Sequence, residues 1–377
     1  MLSYLRQSPK TMSKLSHLPL SILAIITLCC VLACAGPTGS DEDASMDMGG
    51  PLDIDEMPPG TPVRALRCEA DEGAIGRLAS RPKEAWLRST SSLIAKVGAP
   101  SHALHDVLTT RSRDVDFLGL VMYGGLGVEL SGEIAELYIH NCEQDFELLS
   151  RVLIGRDGRA RFVLEEQDVP FHGVYSIALR LPGDGSLAHA TLRVLPAGTK
   201  IVVMDLDGVL SEDRISAFGD ALRDLFAPIG AGERVPEPRP DASGMTRLRS
   251  SQGYEILYLT ARPPELTDES RAWLASNQFA EGTLWFDDRD QASRSSRQYG
   301  AYKSGVLARM RARGYELSIA YASNPEELEG FQSAAITPIY LVDFVSNAGG
   351  VPMGSTFSAH NAAIEQETPI SQPFYFE

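Results

Sequence analysis

Two aspartates that end an apolar run are the residues of this chain best suited to chemistry. Residues 201–204 read Ile-Val-Val-Met, and Asp205 and Asp207 follow, with Gly208 available for a sharp turn. Such a run is typical of a buried parallel strand, and ligands of open α/β sheets bind just beyond the carboxyl ends of these strands. Two carboxylates there suit a magnesium ion, a nucleophile and a proton carrier. The alternative is a strand that ends in a solvated acidic turn.

Further polar groups follow in an order that is hard to obtain by chance. Thr260-Ala261-Arg262 comes directly after a predicted strand at 254–259, and Ser323-Asn324-Pro325-Glu326-Glu327 comes after one at 317–321. Lys303 opens a predicted helix between them. Because the carboxyl ends of parallel strands share one edge of a sheet, an acid pair, a hydroxyl, a lysine and further acids are expected to meet there. For Arg262 a surface salt bridge is an equally good interpretation.

Two folded domains are expected. From residue 198 to 353, apolar strands alternate with amphipathic helices, which predicts an α/β domain with a doubly wound parallel sheet. Residues 64–197 contain short apolar runs separated by turns such as Gly155-Arg156-Asp157-Gly158, which predicts a small all-β, immunoglobulin-like sandwich. A helix is expected over residues 83–97. Residues 354–377 form a tail to which the sequence assigns no function.

The first residues are typical of an export signal. Three basic residues precede an apolar run at 18–33, which is short for a membrane-spanning helix, and Val31-Leu32-Ala33-Cys34 resembles a bacterial lipobox. Residues 1–33 are therefore interpreted as a lipoprotein signal peptide and Cys34 as the lipidated residue; an uncleaved N-terminal anchor is the alternative. Residues 34–63 are predicted to be a flexible acidic linker. Both interpretations imply an extracytoplasmic protein tethered to a membrane.

Composition and cysteine use limit the other functions. The 377 residues carry a formal net charge of −16, which disfavours a nucleic-acid partner. None of the seven histidines has a zinc-ligand spacing, and no P-loop or α/β-hydrolase motif occurs. Removal of the signal and lipidation of Cys34 would leave Cys68 and Cys142, a pair compatible with a disulfide in an oxidising compartment.

The polar groups lie in segments that resemble a known superfamily. VVMDLDGVLSED, QGYEILYLTAR, LWFDDR, AYKSGVLARM and YASNPEELEGF are similar to motifs of the haloacid dehalogenase (HAD) phosphotransferases, and most closely to their lipin-type (LNS) branch. That branch includes phosphatidate phosphatases and domains of some phosphatidylinositol transfer proteins. The resemblance implies a HAD-like fold, Mg²⁺ as cofactor, and a lipid phosphate or another phosphomonoester as substrate.

The resemblance also implies residue roles. Asp205 would attack phosphorus and carry an aspartyl-phosphate, Asp207 would act as acid and base, and Lys303 would balance negative charge. Asp205, the carbonyl of Asp207 and Glu327 would bind the metal. The remaining expected contacts are to phosphate, from Gly208, Thr260, Ala261, Arg262, Lys303 and Asn324.

Two departures from the family pattern leave alternatives open. Val209 replaces the usual threonine, and the last motif reads SNPEE where the family has a sequence like NRxTD, so that Glu327 stands in place of an aspartate. Glu327 is one methylene longer than the aspartate of the family pattern, so it either still reaches a metal or marks a weakened metal site. The leading interpretation is a magnesium-dependent phosphatase, with phosphatidate as leading substrate. The first alternative is a module that binds phosphatidate at a membrane without turnover, and the second is a surface interaction protein with the α/β domain as scaffold.

Overall fold

The computed structural model of this chain describes residues 62–376, except 125–126, 144, 213–235, 263 and 288–298. The predicted signal peptide, the lipidation site Cys34 and nearly all of the linker lie outside the described residues. Within the described part of the chain, no helix is long and apolar enough to cross a membrane.

The first domain is a β-sandwich, as predicted. Its strands are β1 Val63–Cys68, β2 Ala103–Leu104, β3 Val107–Thr109, β4 Val115–Leu120, β5 Met122–Tyr123, β6 Val128–Glu129, β7 Ile134–His140, β8 Phe146–Leu153, β9 Arg159–Leu164, β10 Gly173–Arg180 and β11 Leu187–Val194, and its helices are α1 Glu72–Ala79 and α2 Ser89–Val97. One sheet contains β1, β3, β7, β8, β10 and β11, and the other has the order β2-β4-β9. Phe117 and Phe162 of the smaller sheet pack on Leu137, Ile177 and Leu192 of the larger one.

The helix expected over residues 83–97 begins only at Ser89. The backbone N–H groups of Leu87 and Arg88 donate to the Glu133 carboxylate, at 2.9 Å each, and this holds the chain extended before the helix. A carboxylate distant in sequence therefore sets the start of the helix, which local periodicity could not reveal.

The second domain is a doubly wound parallel α/β sheet, which confirms the prediction. Its strands are β12 Lys200–Met204, β13 Glu255–Leu259, β14 Thr283–Trp285, β15 Glu316–Ala322, β16 Ile339–Val342 and β17 Val351–Met353, and its helices are α3 Ala242–Ser251, α4 Thr267–Ser276, α5 Tyr299–Ala312, α6 Pro325–Ser333 and α7 Ser358–Ile364. The sheet order is β14-β13-β12-β15-β16-β17, and all pairs are parallel.

The central strand β12 is the point where the sheet changes winding direction. The chain continues to β13 on one side of β12, and β15 lies on the other side. Residues 201–204 are fully buried, as expected of a strand covered on both faces. The crevice beyond β12 is where open α/β sheets bind ligands, and the predicted site residues follow β12, β13 and β15.

The C-terminal segment, which the sequence left without a function, packs on the folded domains. Phe357 and Ile364, which flank and end α7, are buried in the core that surrounds β12. A last strand, β18 Phe374–Phe376, pairs in parallel with β1 at the edge of the larger sandwich sheet. The sandwich therefore contains chain from both sides of the α/β domain.

Cys68 and Cys142, which the sequence offered as a possible pair, are joined by a disulfide in the structure. The bridge links the end of β1 to the turn after β7. It lies in the sandwich, away from the crevice beyond β12.

Candidate active site

Asp205 stands at the end of β12, where the backbone leaves the sheet. Its Oδ1 accepts hydrogen bonds from the backbone N–H groups of Leu206, at 2.7 Å, and Asp207, at 3.4 Å. Gly208 has a φ of 77° within a turn over residues 206–210, which the Ser211 N–H closes by donating to the Leu206 carbonyl at 2.9 Å. A side chain here would be strained, so the glycine sets the sharp turn. The turn fixes the orientation of the Asp205 carboxylate.

Lys303 bridges two carboxylates at the centre of the crevice. Its Nζ lies 2.6 Å from Asp205 Oδ2 and 2.7 Å from Glu327 Oε1. Only 1% of Lys303 is exposed. It occupies the buried face of α5 together with Val306, Leu307 and Met310. A lysine within an apolar helical stripe is a sequence signal for a paired buried charge.

Two glycines explain how Lys303 and Glu327 come together. A Cβ on Gly300 of α5 would lie 2.6 Å from the Glu326 carbonyl oxygen, and a Cβ on Gly330 of α6 would lie 2.8 Å from the Gly300 carbonyl oxygen. The two helices therefore approach so closely that only glycine fits at their contact. This approach sets the position of Lys303 relative to Glu327.

The sequence that opens α6 directs Glu327 into the crevice. Asn324 is the N-cap, and its Oδ1 accepts from the Glu327 backbone N–H at 2.9 Å. The Glu327 side chain bends back, and its Oε2 accepts from the Ser323 backbone N–H at 2.7 Å. This arrangement resembles a capping box. The amide oxygen of Asn324 therefore begins the helix, and its Nδ2, the group that would donate to phosphate, lies 3.4 Å from Ser323 Oγ.

Burial and charge separate the pKa values of the carboxyl groups. Burial alone would raise the pKa of Asp205, but Lys303 and the hydrogen bonds outweigh it and keep that pKa below its usual range. Burial raises the pKa of Glu327 to about 7, although Lys303 opposes the rise. The two carboxylates in turn raise the pKa of Lys303 despite its burial. Asp205 is thus the anion of this group at neutral pH.

Arg262 holds the second aspartate of the pair. Its Nη2 lies 2.7 Å from Asp207 Oδ1 and its Nε lies 3.0 Å from Oδ2, while Nη1 donates to Ser270 Oγ of α4 at 2.9 Å. Arg262 is 6% exposed, so the surface salt bridge considered for it is not what the structure contains. Burial raises the pKa of the Asp207 carboxyl, although Arg262 pulls it down.

The end of β13 supplies a hydroxyl. Thr260 is fully buried, its backbone N–H donates to the Trp285 carbonyl at 3.0 Å, and its Oγ1 accepts from the Arg262 backbone N–H at 3.1 Å. Ala261 lies between Thr260 and Arg262. The loop that follows β13 is therefore tied to β14 on one side and to Asp207 on the other.

The groups of the site that could bind a metal are all oxygen ligands, as suits a magnesium ion. Asp205, Glu327 and the Asp207 carbonyl supply only oxygen, which Mg²⁺ prefers. Ser323 Oγ lies 3.5 Å from the Asp207 carbonyl oxygen and 3.3 Å from Glu327 Oε2. Among the described residues, however, no group of three or more His, Cys, Asp or Glu side chains is arranged to hold a metal.

Ser323 and Ser270 also contact the site. Ser323, the first residue of the last motif, follows β15 and lies beside the Asp207 carbonyl, but the sequence assigned it no role. Ser270 contacts Arg262 from the middle of a helix, and no local pattern distinguishes it. The segments 213–235 and 288–298 lie outside the described residues.

Family comparisons agree with both domains. The family model described as the LNS2 domain of PITM 1-3 matches residues 202–343, and the model of the PITM 1-3 beta-sandwich domain matches residues 100–194. LNS2 domains are HAD-like. Residues 202–343 are thus similar to an LNS2 domain, and residues 100–194 to the sandwich domain of the same proteins.

Similar curated proteins are much longer than this chain. Human membrane-associated phosphatidylinositol transfer protein 2 is 28% identical over 212 residues, which cover 55% of this chain and 15% of that protein. The protein retinal degeneration B of Drosophila melanogaster is 25% identical over 211 residues, or 55% of this chain and 16% of that protein. The chain therefore matches about one sixth of the length of these relatives.

Among solved structures, a HAD-like phosphatase from Mesorhizobium loti aligns with 46% of this chain and 89% of its own, at 14% identity and a TM-score of 0.32. A TM-score of 0.32 is too low to indicate a shared fold or function.

Proposed function

We propose that this protein is a magnesium-dependent phosphomonoester hydrolase that acts through an aspartyl-phosphate, with phosphatidate as the leading substrate. The observation that supports this most is the buried bridge of Lys303 between Asp205 and Glu327, at 2.6 and 2.7 Å. It brings a nucleophile, a cation and the substituted acid of the last motif together at the carboxyl edge of the sheet. This is the constellation that phosphoryl transfer through a carboxylate requires.

The pKa directions support different roles for the two aspartates. Asp205, whose pKa is lowered, is the anion that attacks phosphorus while the bond to the leaving oxygen breaks. Asp207, whose pKa is raised, donates a proton to that oxygen and then accepts one from the water that hydrolyses the aspartyl-phosphate. Two carboxyl groups whose environments separate their pKa values are the usual basis of such a division.

Lys303 and the loop after β13 stabilise the transferred group. Lys303 compensates charge on the phosphoryl oxygens, and the Thr260 loop faces the same crevice. Asp205, the Asp207 carbonyl and Glu327 would hold Mg²⁺, which when bound neutralises phosphoryl oxygens and fixes their orientation.

Two considerations favour a lipid phosphate. Proteins similar to this chain are named as membrane-associated phosphatidylinositol transfer proteins, so their matching domains belong to proteins of lipid metabolism. The predicted lipid anchor at Cys34 would raise the effective concentration of the enzyme at a membrane-bound substrate.

A second candidate function is binding of phosphatidate without turnover. The observation in its favour is the hold of Arg262 on Asp207, because both oxygens of the proposed acid and base are already engaged. Val209, which is fully buried among apolar side chains, adds to this since it supplies no hydroxyl beside Asp207.

Phosphate release separates the two candidates. The full chain is assayed in mixed micelles with phosphatidate and with 4-nitrophenyl phosphate, with and without Mg²⁺, next to Asp205→Asn. Asp268→Asn, which changes an exposed acid at the start of α4, is the matched control. The proposal expects magnesium-dependent release that falls about 1000-fold or more in Asp205→Asn and is unchanged in Asp268→Asn. Binding of phosphatidate with no release from either substrate would overturn it in favour of the binding module.

A further inference from the structure

We propose that Asp106, a residue of the β-sandwich, positions the catalytic loop of the α/β domain through two separate connections. This inference rests on the proposed function. It assigns the sandwich a role in positioning active-site residues, and its physical basis is a set of hydrogen bonds between the two domains.

Asp106 is held firmly by its own domain. It lies between β2 and β3, where the chain passes from the smaller sandwich sheet to the larger one. Its Oδ1 accepts from the Thr191 backbone N–H of β11 at 2.7 Å, and the next residue, Val107, pairs with Leu192 of the same strand. The side chain is fully buried. A buried carboxylate so well supported is a rigid point of attachment.

The first connection runs through the edge strand β14. Asp106 Oδ2 accepts from the Leu284 backbone N–H at 2.7 Å. Successive residues of a parallel strand direct their backbone groups to opposite sides, and Trp285 accordingly accepts from the Thr260 N–H on the inner side, at 3.0 Å. Asp106 thus supports the outer edge of β14 beside the residue that fixes Thr260.

The second connection runs through α4. Both terminal nitrogens of Arg271 donate to Asp106, Nη2 to Oδ1 at 2.7 Å and Nη1 to Oδ2 at 3.3 Å. The preceding residue, Ser270, accepts from Arg262 Nη1, and Arg262 holds Asp207. A displacement of α4 would therefore be transmitted to the proposed acid and base.

The two connections converge on neighbouring residues of one loop. Thr260 is fixed by β14 and Arg262 by α4, and a single carboxylate of the other domain holds both supports. Errors of about 1 Å in the placement of catalytic groups can lower rates by about 100-fold. Loss of Asp106 should therefore lower kcat, although this residue touches no substrate.

The test compares three variants of the full chain by hydrogen-exchange mass spectrometry and by kinetics on 4-nitrophenyl phosphate. Asp106→Asn removes the charge and places a donor near the Leu284 N–H. Arg271→Met removes only the α4 connection. Asp168→Asn, an exposed acid elsewhere in the sandwich, is the control. Circular dichroism establishes that each variant is folded.

Asp106→Asn is expected to lower kcat about tenfold or more with a smaller change in KM, and to speed amide exchange in residues 258–262 and 283–287. Arg271→Met should lower kcat while exchange at 283–287 stays as in the parent protein. Unchanged kcat and exchange in folded Asp106→Asn, or equal effects in Asp168→Asn, would overturn the proposal. If the parent protein has no turnover, the proposed function fails, while the exchange data still decide the positioning role. If Asp106→Asn does not fold, Arg271→Met alone decides it, and unchanged kcat in that variant would overturn the proposal.

Discussion

Arg262 donates hydrogen bonds to both carboxylate oxygens of Asp207, from Nη2 to Oδ1 at 2.7 Å and from Nε to Oδ2 at 3.0 Å. The pair is buried, and a bidentate arginine is the strongest partner that a carboxylate finds in a protein. Asp207 nonetheless has a raised pKa because its burial outweighs the attraction of Arg262. The arginine thus tunes the residue proposed as acid and base.

Replacement of Arg262 should shift the pH dependence of turnover. Arg262→Gln removes the cation that pulls the Asp207 pKa down, so this pKa should rise further. A general acid works in its protonated form, and the alkaline limb of kcat should therefore move to higher pH. Arg262→Lys, which keeps the charge, should move it less. The measurement is kcat against pH on phosphatidate in mixed micelles, whose leaving alcohol needs a proton, and a limb that stays in place would contradict the role of Asp207.

Glu327 should make folding stability depend on pH in metal-free protein. Its pKa is raised to about 7 in the folded state, above its ordinary value of 4.5. The folded state therefore holds a proton that the unfolded chain releases, and the resulting stability is present below about pH 4.5 and is lost as pH rises through 7. Relative to Glu327→Gln, the parent protein should lose about 3 kcal/mol of unfolding free energy over this window. Urea unfolding with EDTA at several pH values measures it, and parallel curves for the two proteins would refute the assignment.

Replacement of Val209 by the threonine that the family pattern favours should lower the stability of the folded protein. It is fully buried in the apolar cluster around Met204 and Leu206, so a hydroxyl there would lose its hydration. Val209→Thr is isosteric and should cost about 1–3 kcal/mol of stability. Val209→Ala, which removes volume without adding a polar group, is the companion variant. Equal stability of parent and Val209→Thr would mean that the hydroxyl finds a buried partner.

The disulfide between Cys68 and Cys142 should stabilise the sandwich. The cysteines are 74 residues apart, and closure of a loop this long in the unfolded chain is worth about 4 kcal/mol in the chain-entropy account. The double variant Cys68→Ser/Cys142→Ser should unfold at correspondingly lower urea concentration. Reduction of the parent protein should have the same effect. A midpoint that neither change moves would exclude a stabilising role.

The sequence could predict those parts of the site that strand ends determine. Asp205 follows an unbroken apolar run, and Thr260 follows a second one, so a parallel sheet brings them together whatever its details. Lys303 opens a predicted helix, and its place in the site was expected from the family resemblance. The parallel sheet and the sandwich follow from the same periodicities.

Contacts between distant segments could not be predicted in this way. Arg262 could pair with any acid until the fold placed Asp207 beside it. Asn324 and Glu327 were judged by alignment to a motif, whereas the structure shows them as the cap and the third residue of α6. Asp106 lies in a different domain from the loop that it supports, and neither spacing nor composition connects the two.

Detection of the covalent intermediate tests the central claim most directly. The full chain is mixed with 4-nitrophenyl phosphate carrying ³²P, quenched in acid, and examined for label bound to protein. Because this leaving group needs no protonation, Asp207→Asn should still be phosphorylated but should lose the base that activates water, so label should accumulate. Asp205→Asn should carry none, and peptide mapping should place the label of Asp207→Asn on Asp205. Turnover without any labelled protein, or label that persists in Asp205→Asn, would contradict Asp205 as the nucleophile.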